Sequence, residues 1–100
     1  MNYKQIVKEV LLTEAKEIEK AAANISFDIE KAVDLIINSK GKLIVTGVGK
    51  SGLVGTKIAA TLASTGTSSF FLHPTEAMHG DLGMIGKDDI VLGISYSGES

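Results

Sequence analysis

The sequence predicts an α/β fold in which helices pack around a parallel sheet. Three observations lead there. Apolar residues at helical spacing fill the first 40 residues, and short β-branched runs take over after Gly41. All 11 glycines lie beyond position 40, several of them directly behind the first such run, where close backbone approach matters. With 100 residues the chain holds one domain of ordinary size and one core.

The elements are taken in chain order. From about Tyr3 to Ala23 the chain is rich in helix formers, with Val7, Val10, Leu11 and Ile18 on one stripe. Asn24-Ile25-Ser26 interrupts this run, and Ser26 or Asn24 is placed to cap the next helix. Ile29, Ala32, Val33, Ile36 and Ile37 recur at i, i+3, i+4, i+7 and i+8, the pattern of a core-facing helix with Gly41 as its C-terminal cap. Leu43-Ile44-Val45-Thr46 is too short for a helix and apolar enough for a buried parallel strand. Ser51 to Ser64 is again helical, with Val54, Ile58, Ala59 and Leu62 as its buried face. Its small residues Gly55, Ala59, Ala60 and Ala63 permit close packing on a sheet.

Ser69-Phe70-Phe71-Leu72 reads as a second strand, stopped by Pro74, and a short helical turn covers Thr75 to Met78. Lys87-Asp88-Asp89 is a turn, and Ile90-Val91-Leu92-Gly93-Ile94 is the third strand. Strand, helix, strand, connection, strand implies a parallel sheet with right-handed crossovers. A three-stranded sheet that stops there leaves an apolar edge uncovered, so the chain is expected to be the N-terminal part of a larger domain.

Composition narrows the function classes. At 44% hydrophobic and 22% charged residues, this is an ordinary globular chain and not a disordered one. The net charge of −2 and the lack of a basic stripe argue against a nucleic-acid surface. No cysteine is present, which excludes disulfides and thiolate metal sites. Two histidines and scattered carboxylates are too few to define any other metal site. The start MNYKQIVKEV lacks the apolar core of a signal peptide, and no run reaches membrane-spanning length, so no membrane partner and a cytoplasmic location are expected.

Two loops are candidates for holding phosphate. Gly47-Val48-Gly49-Lys50-Ser51-Gly52 comes directly after the first strand. A triphosphate loop would need glycine at position 44, where Ile44 lies within the strand. A dinucleotide loop would need an acidic residue after the second strand, where Leu72-His73-Pro74 stands and no carboxylate occurs before Glu76. Alone, the glycines also fit a tight strand-to-helix turn. The second loop, Ser95-Tyr96-Ser97-Gly98-Glu99-Ser100, succeeds the third strand and so shares the carboxyl edge of the sheet. Hydroxyls at Ser95, Ser97 and Ser100, with the backbone N–H groups of a coming helix, suit the oxygens of one phosphate.

These residues carry a resemblance. "GVGKSG", then "AATLASTGTSSFFLHPTEAMHGDLG", then "SYSGES" resemble the sugar isomerase (SIS) domain and, within it, the arabinose-5-phosphate isomerases, over about Gly41 to Ser100. The serine loop marks only the superfamily. The lysine of the glycine loop, Ser64-Thr65-Gly66-Thr67 and His79-Gly80-Asp81-Leu82-Gly83 are more specific to the isomerases.

The resemblance implies a three-layer α/β/α fold of flavodoxin-like SIS topology. Residues 1–40 would be its N-terminal helices and residues 41–100 the first half of the sugar-phosphate-binding core. It also implies interconversion of ribulose 5-phosphate and arabinose 5-phosphate through an enediol without an organic cofactor, feeding synthesis of the acid sugar Kdo of lipopolysaccharide or capsule. Lys50 matches the family's active-site lysine, which would stabilise the enediolate oxygen or polarise the ring oxygen, and His79 matches its histidine, a proton shuttle. Against the bare alternative of a solvated lysine, a cation on a helix's first turn opposes the dipole. Ser95, Ser97 and Ser100 would hold the phosphate, with Gly47, Gly49, Ser51 and Gly52 shaping the opposing wall. Thr65, Asp81 and Glu99 are supporting candidates, and His73 is read as structural.

The family's proton-handling glutamates, a further histidine, and the paired CBS modules of many members lie beyond position 100. Residues 1–100 alone are therefore expected to be inactive. A homotetramer is implied too, with the first helices near the subunit contacts. Two alternatives remain: a SIS module that senses a sugar phosphate without converting it, and a SIS isomerase of another phosphosugar. Regulators of the first kind place a DNA-binding domain ahead of the SIS domain, and no basic recognition face precedes the sheet here.

Overall fold

The computed structural model describes residues 2–78 and 81–96. Its elements run α1 (Tyr3–Ala23), α2 (Asp28–Ile37), β1 (Leu43–Gly47), α3 (Lys50–Ser64), β2 (Ser69–Phe71), α4 (Pro74–Met78), a 3-10 turn (Asp81–Met84) and β3 (Ile90–Ile94). The chain divides into two compact units, Met1–Ala32 and Val33–Ser100.

In the first unit the ends of α1 are fixed by asparagines. The Gln5 N–H donates to the Asn2 side-chain oxygen at 3.0 Å, and the Asn24 side-chain amide donates to the Lys20 carbonyl at 2.8 Å. Asn24 thus closes α1, and the Ser26 hydroxyl accepts the N–H of Asp28, the first residue of α2, at 3.3 Å, a turn bond ahead of the helix rather than an N-cap. The stripe Val7, Val10, Leu11 and Ile18 is exposed, and no residue of α1 is buried.

The second unit is built on a parallel sheet of order β2-β1-β3. That is the order in which a flavodoxin-like sheet begins. Leu43 pairs with Ser69 on one side and with Ile90 on the other, and the β3 register continues to Gly47 opposite Ile94. Central position explains the apolar run of β1, since a strand covered on both faces loses all contact with water. Ile44 and Val45 are 0% exposed, each worth about 1.5–3 kcal/mol of burial. Leu43, Val45 and Ala59 form the core, joined by Ile36, Leu62, Phe71, Ile90 and Ile94.

Three expectations need correction. The buried face of α3 is Gly52, Gly55 and Ala59, and Val54 is 53% exposed. Small residues win that face because α3 lies close on the strands: a Cβ on Gly55 would stand 3.1 Å from both Val45 Cγ1 and Phe71 Cε1. Gly41 is not a left-handed cap, because the positive-φ glycines among the described residues are Gly49 and Gly66. It is glycine because a Cβ there would collide with the Asp88 carbonyl. Of the α2 stripe in this unit, Ile36 packs on the core, while Val33 and Ile37 stay exposed.

At the amino edge a polar clamp sets the register of β3. The Asp89 carboxylate accepts the Lys42 N–H at 2.6 Å and the Gly86 N–H at 2.7 Å. These backbone bonds, first that of Lys42, together with the Lys42 charge, outweigh desolvation and hold the Asp89 carboxyl below its ordinary pKa. The Ser39 hydroxyl donates to the Asp88 carbonyl at 3.0 Å and accepts the Gly41 N–H at 3.1 Å.

Candidate functional site

The turn after β1 and the residues directly after β3 share the opposite, carboxyl edge. After β1 the chain turns into α3 within two residues, Val48 and Gly49. Gly49 makes this possible with φ +62° and ψ −130°, a conformation that side chains rarely adopt. Its carbonyl accepts the N–H groups of Gly52 at 3.0 Å and Leu53 at 3.2 Å, which starts the helix. Lys50 is therefore the first residue of α3 and is exposed. Neither a capping side chain nor an acidic residue serves this helix start, so its positive end is left to face an anion.

Gly47 and Gly52 seat the turn. A Cβ on Gly47 would lie 3.0 Å from the Ser51 carbonyl, and one on Gly52 would lie 2.8 Å from the Gly47 carbonyl oxygen. Gly52 is buried, so it shapes the wall from behind and does not face the cleft.

Because β3 pairs directly with β1, Ser95 comes beside this turn. Lys50, Ser51 and Ser95 line one open cleft of about 730 Å³, together with Val48, Val54, Ile94 and Tyr96. An adjoining hollow of about 530 Å³ is lined by Thr46, Gly47, Val48, Pro74, Gly93, Ile94 and Ser95. A lysine and two serines thus line one cleft with mostly apolar residues, the usual make-up of a small-molecule site. A third cleft, of about 440 Å³, opens at the amino edge, and Lys42 is its one charged lining residue among the described residues. The Lys42 ammonium lies 5.9 Å over the Phe70 ring, away from both loops.

Of the predicted site residues, the structure thus gathers Lys50, Ser51, Gly47 and Ser95, with Gly49 and Gly52 shaping the turn. Thr65 stands at the far end of α3, its hydroxyl donating to the Thr61 carbonyl at 2.9 Å and the Leu62 carbonyl at 3.2 Å. Asp81 begins the 3-10 turn. His79, Ser97, Glu99 and Ser100 lie outside the described residues. The lining residues Thr46, Val48, Val54 and Tyr96 are additions that the sequence reading does not make. Val48 and Tyr96 do carry a signal, since each sits inside one of the two candidate loops, whereas the helical pattern of α3 assigns Val54 to the core.

A family model described as SIS domain matches residues 35–100. The chain is 51% identical over 100 residues to a probable arabinose 5-phosphate isomerase of Haemophilus influenzae, covering all of this chain and 30% of that protein. It is 56% identical over 87 residues to the arabinose 5-phosphate isomerase KdsD of Pseudomonas aeruginosa, covering 87% of this chain and 27% of that protein. A structure from E. coli CFT073 in complex with arabinose 5-phosphate superposes with TM-score 0.90 at 43% identity, over 100% of this chain and 55% of that one. The chain thus spans about 30% of the length of the curated relatives it matches. With the family model covering most of the chain, and the fold in agreement with a SIS-type sheet, the chain belongs to the SIS domain family.

Proposed function

We propose that the full-length protein is an aldose–ketose isomerase that interconverts ribulose 5-phosphate and arabinose 5-phosphate. The observation that carries this reading is the convergence of Lys50, Ser51 and Ser95 on one cleft at the carboxyl edge. The names of the relatives from Haemophilus influenzae and Pseudomonas aeruginosa, and the arabinose 5-phosphate bound in the E. coli CFT073 structure, support the substrate class.

In this reading Ser95, Ser97 and Ser100 hold the phosphate, helped by backbone N–H groups. A base removes the proton from the carbon beside the carbonyl. The Lys50 ammonium faces the oxygen on which negative charge develops, and so stabilises the enediolate more than the ground state. His79 moves a proton between the two oxygens, and the proton returns to the neighbouring carbon to complete the isomerisation. The base is expected from the protein beyond position 100. Val48, Val54 and Ile94 supply an apolar wall against which the lysine's charge acts at lower dielectric.

The test uses the full-length protein with ribulose 5-phosphate, assaying arabinose 5-phosphate beside Lys50→Ala and His79→Ala. The expected loss is about 10²-fold or more in kcat for each variant. Parental activity in both would refute the catalytic assignments. An inactive parent that still binds the sugar phosphate would favour the sensor reading.

A further inference from the structure

His73 lies just past the end of β2 at the same carboxyl edge, and the proposed reaction leaves it without a role. Its ring is engaged on two sides. Nδ1 accepts the Thr75 N–H at 3.1 Å, which places the proton of the neutral ring on Nε2. The ring edge meets Phe71, with centroids 6.4 Å apart and planes at 68°.

The backbone of His73 completes the pattern. Its carbonyl accepts the N–H of Glu76 at 3.0 Å and of Ala77 at 3.1 Å. A helix start leaves its first four amide positions in need of partners. In α4 Pro74 has no N–H, the His73 ring takes that of Thr75 and the His73 carbonyl that of Glu76, while the Ala77 N–H makes the first ordinary helical bond to the same carbonyl. Serine, threonine, aspartate or asparagine usually fills such a cap. A histidine adds what those residues lack, a ring that reaches Phe71.

Phe71 carries the contact onward to α3. Its Cε1 and Cζ atoms fill the groove left by two glycines, 3.1 Å from where a Gly55 Cβ would stand and 3.5 Å from where a Gly52 Cβ would stand. Gly52 belongs to the turn that begins with Lys50. One side chain therefore joins the cap of α4, the segment directly ahead of His79 in sequence, to the packing beneath Lys50.

We propose, resting on the isomerase reading above, that His73 is a positioning residue for the reaction: its Nδ1 cap and its contact with Phe71 hold α4 and the Lys50 turn in one arrangement.

The test compares the full-length parent with His73→Asn and His73→Leu. Asparagine keeps an acceptor for the Thr75 N–H, and leucine keeps bulk against Phe71 but has no acceptor. With ribulose 5-phosphate, His73→Leu is expected to lose about tenfold in kcat with KM within about twofold, the scale of a sub-ångström misplacement. His73→Asn is expected to keep kcat within about threefold. Parental kcat in His73→Leu overturns the proposal. So does an equal loss in His73→Asn, because asparagine keeps the cap and gives up only the ring, and the cap would then not be what holds the arrangement.

Should His73→Leu fail to fold, nitrogen-15 NMR of histidine-labelled parent decides. Protonation on Nε2 with a bare Nδ1 supports the cap, and the opposite tautomer refutes it. That readout is independent of turnover, so an inactive parent with the expected tautomer would sink the isomerase reading and leave the cap standing.

Discussion

Gly52→Ala probes how the fold aims Lys50. The added Cβ would stand 2.8 Å from the Gly47 carbonyl oxygen, where ordinary contact begins at 3.4 Å. That oxygen belongs to the end of the central strand and cannot swing aside as a side-chain tip would. The first turn of α3 must therefore lift by roughly 0.6 Å, carrying Lys50 with it. Overpacking of this kind costs about 1–3 kcal/mol, and alanine's better helix propensity returns about 1 kcal/mol. The net loss of about 0–2 kcal/mol leaves the protein folded, against a total stability of about 5–15 kcal/mol.

Catalysis should suffer more, because misplacement by 1 Å costs up to about 10²-fold and half of that about tenfold. The assay is arabinose 5-phosphate formation by the full-length protein, with thermal melts alongside. Gly66→Ala is the control at the other end of α3, where φ is +106° and nothing lies within 4 Å. It costs about 1–2 kcal/mol of backbone strain and should leave kcat unchanged. Parental kcat in Gly52→Ala, or equal losses in the two variants, would refute the idea that this contact sets the position of Lys50.

Other substitutions have equally definite outcomes. Ile44→Ala, at a fully buried site in the middle strand, should cost about 2–5 kcal/mol in denaturant melts. Asp89→Asn should weaken the protein at neutral pH. Because the folded-state pKa of Asp89 is depressed, its contribution is full above the ordinary aspartate value and is lost as pH falls through the folded-state value. Melts of parent and variant should therefore converge in acid, and a gap that widens there would contradict the clamp. Ser97→Ala should raise KM about 10- to 100-fold with kcat little changed, and an unchanged KM would remove Ser97 from the phosphate.

The strands and half of the site are legible in the chain. The β-branched run at Leu43–Thr46 and the apolar runs near Ser69 and Ile90 mark the strands, because a buried parallel strand needs an apolar stretch too short for a helix. Lys50, Ser51 and Ser95 can be grouped from sequence, since parallel strands bring their succeeding loops to one edge. The corrections share a cause. Apolar size selects Val54 for the buried side of α3, yet the face on the sheet is chosen by closeness, which favours Gly52, Gly55 and Ala59 and turns Val54 toward the cleft. The 3-10 turn Asp81–Met84 is too short to carry a period. Gly41 stands four residues past the end of α2 and does not cap it; its need for glycine comes from Asp88, far along the chain.

The pairing of β3 with β1 has a consequence for how the site comes into being. The amino-edge clamp joins residues 47 apart in sequence, Lys42 and Asp89, so β3 must close a long loop before it docks. The α3–β1 and α3–β2 contacts are more local and can form earlier. On that order the glycine turn and its lysine are expected to be in place before Ser95 arrives beside them. The cleft is consequently expected to form late, once β3 pairs with β1 from Ile90 to Ile94. Substitutions at the Asp89 clamp, on the opposite edge from the chemistry, should thus mainly speed the undocking of β3, and so the opening of the cleft, without altering any group that lines it.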